Sequence, residues 1–159
     1  AFGAGHHATT SLVLRQLLAM NLNGLKIVDM GTGTGILAIL ASMRGAKRVD
    51  AIEIDEFAFN NAVDNVRLNF ADAVCTRLGD ASLLAGIGGV NLFIANINRN
   101  IITADLPAYV KTLAPGAKMV LSGFYEEDVP VILDIARPLG LTYESHHVLD
   151  RWTCLLLHN

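Results

Sequence analysis

Hydrophobic positions along the chain follow two periods, which predict two kinds of secondary structure. Short runs of apolar, largely β-branched residues predict strands. Between the earlier runs, apolar residues recur at every third or fourth position, which predicts helices with one buried face. The predicted strands are Lys26–Met30, Arg48–Ile54, Ala73–Leu78, Val90–Asn96, Lys118–Ser122, Leu141–His147 and Trp152–His158.

Polar residues mark where the predicted helices begin. Threonine and aspartate side chains accept hydrogen bonds from the free N–H groups of a first turn, and acidic residues face the positive end of the helix dipole. The predicted helices run from a cap at Thr9 or Thr10 through Met20, over Ile36–Met43, from a cap at Asp55 through Phe70, over Ile102–Leu113, and from the acidic residues 126–128 through Leu139.

The order of these elements indicates an α/β fold. Alternating strands and helices form a parallel sheet that right-handed crossovers cover on both faces. The last two strands are separated only by residues 148–151, too few for a crossover helix, so these strands must run antiparallel. We therefore expect a mostly parallel seven-stranded sheet with one reversed strand near an edge.

The composition narrows the class of protein. The chain has 159 residues, of which 52% are hydrophobic, and this length fits one domain with its own core. The net charge of −3 offers no electrostatic footprint for a nucleic-acid backbone or a membrane surface. The longest uncharged stretch near the start, Met30–Met43, has 14 residues, too short to span a membrane. No signal peptide precedes it, so we expect a cytoplasmic protein.

The first predicted strand runs into a glycine-rich turn, with Gly31, Gly33 and Gly35 at alternate positions, and then into a helix. Glycine is needed where the backbone turns sharply or a ligand approaches closely, and free N–H groups at a helix start attract electronegative groups. Glu53 ends the next strand, 22 positions after Gly31. A carboxylate at that place accepts hydrogen bonds from two ribose hydroxyls, so the loop and Glu53 predict a nucleotide site.

Two cofactors fit this loop. Residues 33–38 satisfy the G-x-G-x-x-A pattern of NAD-dependent oxidoreductases. Residues 31–35, preceded by Asp29, satisfy the G-x-G-x-G pattern of methyltransferases that use S-adenosylmethionine (SAM). The reversed last strand and the lack of a second nucleotide-binding half favour SAM. A tight strand-to-helix turn without a ligand is the third alternative.

Polar residues also follow two later strands. Asp80, after the third strand, could accept a hydrogen bond from an adenine amino group or be an ordinary turn aspartate. Asn96 ends the fourth strand, at the edge where open α/β sheets bind ligands. Its uncharged amide oxygen suits an amine nucleophile, which gains positive charge as the methyl group leaves sulfur, although asparagine also caps turns.

Histidine occurs in two places that bear on chemistry. The opening segment, Phe2–Thr10, combines glycines, paired histidines and threonines, and it is either a flexible arm over a cofactor or a frayed terminus. His7, or solvent, is the candidate proton acceptor for the amine. His146, His147 and His158 have no compact set of carboxylates or thiolates near them, so we expect surface histidines and no metal site.

Three motifs follow one another in the first 97 residues: Phe2-Gly-x-Gly-x-His-x-Thr-Thr10, Asp29-x-Gly-x-Gly-x-Gly-Ile-Leu-Ala38 and Ala95-Asn-Ile97. Together they resemble the PrmA family, class I methyltransferases that modify large-subunit ribosomal protein eleven. The resemblance implies a Rossmann-like class I methyltransferase fold, SAM as cofactor and methylation of amino groups on that ribosomal protein. It also implies that SAM-binding positions fall on Thr10, Gly31, Glu53 and Asn96, and the motif histidine on His7.

The chain departs from the family pattern in a few places. His6 stands where the family has threonine, Ala8 where it has proline, and Glu53 where aspartate is common. The family also has an N-terminal domain that recognises the ribosomal protein, and this chain starts at the catalytic segment. We therefore expect residues 1–159 to form a single catalytic domain that binds SAM but methylates poorly, because remote binding energy orients the acceptor. An NAD-dependent oxidoreductase and a SAM-binding scaffold with weak or no catalysis are the alternatives.

Overall fold

Helices and strands alternate through most of the computed structural model, which describes residues 5–159. The first part of the predicted arm, with Phe2, lies outside the described residues. The helices are α1 (Gly5–Leu18), α2 (Ile36–Met43), α3 (Glu56–Leu68), α4 (Arg99–Val110) and α5 (Val129–Ala136). The strands are β1 (Lys26–Met30), β2 (Arg48–Glu53), β3 (Val74–Leu78), β4 (Val90–Asn96), β5 (Leu113–Tyr125), β6 (Thr142–Leu149) and β7 (Trp152–His158).

The seven strands form one sheet in the order β3-β2-β1-β4-β5-β7-β6. The pairs among β1 to β5 are parallel, and β7 is antiparallel to both of its neighbours. The turn between β6 and β7 contains Asp150 and Arg151, which both have positive φ, as in the two-residue turns that join antiparallel strands. The predicted seven-stranded, mostly parallel sheet with one reversed strand near an edge is therefore confirmed.

Each face of the sheet packs on its own helices. We call one side the α1–α2 face, because α1 and α2 cover it, and the other the α4–α5 face. The α1–α2 face of the strands carries Ile27, Val49, Ala51, Leu92, Ile94, Val120, Cys154 and Leu156. The α4–α5 face carries Val28, Met30, Ile52, Phe93, Ala95, Met119, Leu121, Leu155 and Leu157.

The helix boundaries differ from the sequence prediction in several places; α1 ends at Leu18 rather than Met20, and α4 begins at Arg99 rather than Ile102. The predicted cap at Thr9 or Thr10 is wrong, because α1 begins at Gly5 and both threonines lie inside it. The helix predicted to run through Phe70 ends at Leu68, and Phe70 adopts positive φ in the following turn. Leu113 belongs to β5 rather than α4, because the nearby Pro115 and Gly116 cannot continue a helix.

Other local predictions are confirmed. The Asp55 side chain caps α3 by accepting a hydrogen bond of 2.9 Å from the N–H of Ala58. The acidic residues 126–128 form a short 3₁₀ turn directly before α5. Within residues 5–159, none of the helices is long and apolar enough to cross a membrane.

Candidate functional site

Three strands of the α1–α2 face end in buried polar side chains. Asp29 lies near the end of β1, Glu53 ends β2 and Asn96 ends β4, with exposed fractions of 1%, 9% and 9%. Each continues the row of its strand on this face, because side chains two positions apart point the same way. The parallel register aligns the three strand ends, so these side chains lie at one edge, beside the switch point where the chain leaves β1 in one direction and β4 in the other.

The glycine loop folds back onto β2. Gly31, Gly33 and Gly35 have φ of 75°, 58° and 86°, values that side chains disfavour. The N–H groups of Gly31 and Thr32 both donate to the Ile52 carbonyl, at 2.9 Å each. The N–H of Gly33 donates to Glu53 Oε1 at 2.8 Å, and that of Gly35 to the Thr32 carbonyl at 2.9 Å.

The N–H groups of the loop itself, unlike those expected at the start of the following helix, are bound within the protein. A pyrophosphate is held by N–H groups that point at the ligand, but the protein itself uses the N–H groups of residues 31, 32, 33 and 35. The loop therefore serves as a close backbone wall rather than an anion cradle. That arrangement disfavours a dinucleotide and suits a cationic or neutral ligand.

Glu53 is held firmly beside the loop. Its Oε1 accepts from Gly33, and its Oε2 accepts from the N–H of Asp55 at 3.0 Å. An ionised carboxylate has about four lone-pair sites, so two remain for further donors. The two hydroxyls of a ribose match that remaining capacity. The bonds from Gly33 and Asp55 fix the orientation of the Glu53 carboxylate towards such hydroxyls.

Asp29 is buried with one oxygen unpaired. Its Oδ2 accepts a hydrogen bond of 2.7 Å from the Thr32 hydroxyl, whereas Oδ1 is buried and has no partner among the described residues. Burial, with a smaller contribution from the nearby Glu53 carboxylate, raises the pKa of Asp29 to about 6, although the Thr32 hydroxyl and the Ala38 N–H beside the carboxylate lower it. A donor with positive charge would satisfy Oδ1 and restore the ionised form.

Asn96 shows the same feature on the neighbouring strand. Its amide nitrogen donates to the Thr10 hydroxyl at 3.5 Å, whereas its Oδ1 is buried without a partner in the described part of the chain. This contact brings α1 to the end of β4. His7 is exposed and lies three residues before Thr10, on the same side of α1.

Asp80 lies at the same edge but on the surface. It follows β3 at the next strand position beyond Glu53, and the intervening Gly79 N–H donates to the Glu53 carbonyl at 2.9 Å. The Asp80 Oδ1 accepts from the N–H of Ser82 at 2.9 Å, and the Ser82 hydroxyl, followed by this N–H, lowers the pKa of the Asp80 carboxyl group. The side chain therefore caps a short 3₁₀ turn, and its predicted contact with adenine remains a prediction.

Three residues of this edge were missed by the sequence reasoning. Ile54, next to Glu53, is 71% exposed, and Leu78, paired with Glu53 across β2 and β3, is 46% exposed. The sequence contained a signal for this exposed apolar surface, because the apolar residue Ile54 directly follows Glu53, the acid that ends β2. Ser122 is the polar residue at the equivalent position of β5, and its hydroxyl donates to the Thr153 carbonyl at 2.6 Å.

The histidines of the last two strands lie away from this edge or on the surface. His146 Nε2 is 2.9 Å from Glu126 Oε2, and His158 Nδ1 is 2.9 Å from Glu144 Oε1. His147 is exposed. These pairs connect strand β6 to neighbouring segments.

Comparison with solved structures gives the class of fold. The crystal structure of a ribosomal protein L11 methylase from Lactobacillus delbrueckii subsp. bulgaricus superposes with a TM-score of 0.87 and 27% identity, over 95% of this chain and 78% of that one. An RNA methyltransferase from Salinibacter ruber in complex with S-adenosyl-L-homocysteine has a TM-score of 0.73 and 23% identity, over 93% of this chain and 90% of that one. The fold is that of the class I methyltransferases, as predicted.

Sequence comparison then gives the family. The profile of the family PrmA, described as ribosomal protein L11 methyltransferase, matches residues 1–159. A ribosomal protein L11 methyltransferase from Phocaeicola vulgatus is 48% identical over 155 residues, which are 98% of this chain and 55% of that protein. The chain therefore belongs to the PrmA family, and it spans about half the length of such relatives. These matches support neither the NAD-dependent oxidoreductase nor a scaffold without catalysis.

Proposed function

We propose that residues 1–159 form a SAM-dependent protein N-methyltransferase domain that modifies amino groups of ribosomal protein L11. The observation that carries this proposal is a pair of buried acceptors at adjacent strand ends, Asp29 Oδ1 and Asn96 Oδ1, which have no hydrogen-bond partner among residues 5–159. Buried acceptors are costly unless a donor meets them. SAM and an amine acceptor supply donors of the required kind, and the PrmA match supports the same chemistry.

The residues at the edge fit successive parts of SAM. The Glu53 carboxylate takes the two ribose hydroxyls, and Asp29 Oδ1 takes the ammonium of the methionine part. Gly31, Gly33 and Gly35 let the ligand approach the backbone. The exposed side chain of Ile54 covers one face of the adenine, and Asp80 accepts from the adenine amino group. Thr10 lines the methionine end through its contact with Asn96.

The transfer step needs alignment and a neutral amine. When bound, SAM supplies an electrophilic methyl group on its sulfonium. Asn96 Oδ1 accepts a hydrogen bond from the acceptor amine and holds it in line with that methyl group, which is the main demand of such a displacement. A lysine amine has an unperturbed pKa of about 10.4, so a proton must leave, and His7 or solvent takes it.

The family supports the proposed substrate and the proposed compartment. The relative from Phocaeicola vulgatus is a ribosomal protein L11 methyltransferase, which supports the same substrate here and a cytoplasmic place of action. Because the chain spans about half of that relative, the surface that docks the ribosomal protein need not lie within residues 1–159. Weak turnover by this domain alone is the expected result, since remote contacts orient an acceptor.

Calorimetric titration tests the donor directly. We expect SAM and its demethylated product to bind with one site per chain and to raise the denaturation temperature, whereas NAD does neither. A ligand at 100 times its Kd stabilises by about 2.7 kcal/mol. Glu53→Ala should abolish the binding, and Asp64→Ala, which removes an exposed carboxylate of α3, should not. Stabilisation by NAD alone would overturn the proposal.

A second experiment separates an enzyme from a scaffold. The domain is joined to the remaining part of the Phocaeicola vulgatus relative and incubated with SAM and ribosomal protein L11. We expect methylated ribosomal protein by mass spectrometry, with little or none from the domain alone. Tight SAM binding without methylation in the joined protein would show that this domain binds the donor but does not transfer its methyl group.

A further inference from the structure

Ile97 lies between two parts of the candidate site, the glycine loop and the end of β4 that carries Asn96. It follows Asn96 at the end of β4, and its N–H donates to the Ser122 carbonyl of β5 at 3.0 Å. Its side chain is partly buried and packs against the core of the α4–α5 face. Its side chain lies against a glycine of the glycine loop, residues 31–35, and its backbone lies against a glycine of β5. We call the glycine loop the donor loop from here on, because the proposed function places the methyl donor beside it.

The first glycine is Gly31 of the donor loop. A Cβ at Gly31 would overlap Cγ2 of Ile97 and lie 3.8 Å from its Cβ. The Ile97 methyl group therefore occupies the space that a side chain at Gly31 would need. Isoleucine is stiff at χ1 because it branches at Cβ, so this methyl group does not rotate away cheaply.

The second glycine is Gly123 of β5. A Cβ at Gly123 would overlap the Ile97 carbonyl oxygen and lie 2.6 Å from its carbonyl carbon. Gly123 has φ of 106° and is the extra residue where the β5–β7 register shifts between Ser122 and Phe124. Such bulges bend a strand and direct neighbouring groups beside active sites.

We propose that Ile97 is a positioning residue, a wedge between Gly31 and Gly123 that sets the donor loop against the strand end carrying Asn96. The inference rests on the proposed function, since it concerns where the donor and the acceptor amine meet. The two glycines are required because Ile97 occupies the space that their side chains would need. Its Cγ2 methyl group fills this space at Gly31, and its carbonyl group fills it at Gly123. An error of about 1 Å in this alignment is enough to lose about 100-fold in rate.

Two substitutions at Ile97 separate shape from volume. Ile97→Val keeps the Cγ2 position and deletes Cδ1, whereas Ile97→Leu keeps the carbon count and loses the branch at Cβ. The wedge predicts that Ile97→Leu weakens SAM binding about tenfold, and that Ile97→Val weakens it less than about twofold. A residue that only filled volume would show the opposite order.

A matched control accounts for general loosening of the core. Ile102 is fully buried in α4, on the same core, and Ile102→Leu makes the same change of branching away from the loop. It should lower the denaturation temperature while leaving SAM affinity unchanged. Equal losses of affinity in Ile97→Leu and Ile102→Leu would overturn the wedge.

The backbone side of the wedge has its own matched pair on β5. Gly123→Ala should weaken SAM binding about tenfold or more, although two strands, β1 and β4, lie between Gly123 and Glu53. Gly116→Ala also has positive φ, with open space around the position, and should leave the affinity unchanged. Full affinity in a folded Gly123→Ala protein would contradict the proposal. If the unsubstituted chain does not bind SAM, the proposed function fails first, and that outcome is distinct from equal affinities among the variants.

Discussion

The two faces of the sheet end differently at the same edge. At this edge, the α4–α5 face of β1, β2, β4 and β5 carries buried apolar side chains: Met30, Ile52, Ala95 and Leu121. On the α1–α2 face, the same four strands carry polar side chains there: Asp29, Glu53, Asn96 and Ser122. Both sets belong to the same strands, since successive side chains alternate between the faces.

This difference separates stability from binding. The apolar ends of the α4–α5 face lose contact with water and favour folding. The polar ends of the α1–α2 face are desolvated, and two of them have an oxygen that finds no partner in the part of the chain that the structure describes; such an oxygen costs free energy until a ligand donates to it. Substitutions of these edge residues on the α4–α5 face should therefore mainly change the free energy of unfolding. Those on the α1–α2 face should mainly change ligand binding and catalysis.

The largest expected effect comes from the loop that closes the polar face. Gly31→Ala should weaken SAM binding by more than about 100-fold, because its Cβ meets Ile97 and its φ is 75°. Gly24→Ala is matched in φ, at 76°, with open space around it, and should cost about 1–2 kcal/mol of stability without changing affinity. Calorimetry and urea unfolding of both variants measure the difference. Equal SAM affinities in the two variants would mean that the contact between position 31 and Ile97 does not influence binding.

Removing the Asn96 side chain should slow the chemical step. We expect Asn96→Ala to lower methyl transfer about 100-fold, because the amine loses the acceptor that aligns it. SAM affinity should change less than about threefold. Methylated ribosomal protein is measured at saturating SAM, with the domain joined to the remainder of a relative. Unchanged turnover would remove Asn96 from the mechanism.

Neighbouring residues of β2 contrast the two faces most directly. Glu53→Gln should weaken SAM binding about tenfold. The amide replaces one acceptor oxygen with an NH₂ group, which would face a main-chain N–H group and cannot accept its hydrogen bond. Ile52→Val, one residue away on the opposite face, should cost about 1 kcal/mol of stability. Titration and denaturant unfolding are compared for both. A loss of affinity in Ile52→Val equal to that in Glu53→Gln would mean that the faces are not separate.

The last expected effect is a gain in stability that depends on pH. The pKa of Asp29 is raised from 3.8 to about 6 in the folded protein, so the stability linked to its protonation is present below pH 4 and lost as pH rises through 6. Asp29→Asn avoids that loss. The two proteins should unfold alike at pH 4, and the variant should be more stable by up to about 3 kcal/mol at pH 8. A pH-independent difference would place the cause elsewhere.

The elements with long apolar runs were predictable from the sequence. The bounds of β1, β4, β7 and α2 agree with the prediction, because their patterns are uninterrupted. The start of α1 was missed, since Gly5 and the two histidines are weak helix formers. The end of α4 was missed because β-branched and apolar residues near Leu113 suit a helix or a strand equally.

The candidate site divides in the same way. The glycines, Glu53 and Asn96 were found because strand ends and spacing identify them. The use of the loop N–H groups by β2 could not be read from the sequence, since it depends on the register between Met30 and Ile52. Nor could the partners of Ile97, because Gly123 belongs to no motif and reaches Ile97 only through the pairing of β4 with β5.

The position of β7 has a consequence for how the protein is made. Strand β7 comes later in the chain than β5 and β6, yet it fills the slot between them. During synthesis, the edges of β5 and β6 that pair with β7 therefore stay unpaired until residues 152–158 have left the ribosome. Exposed strand edges can form incorrect pairs with other strands. Synthesis that stalls before Trp152 leaves a nascent chain with two open edges and the α1–α2 core short of Cys154 and Leu156.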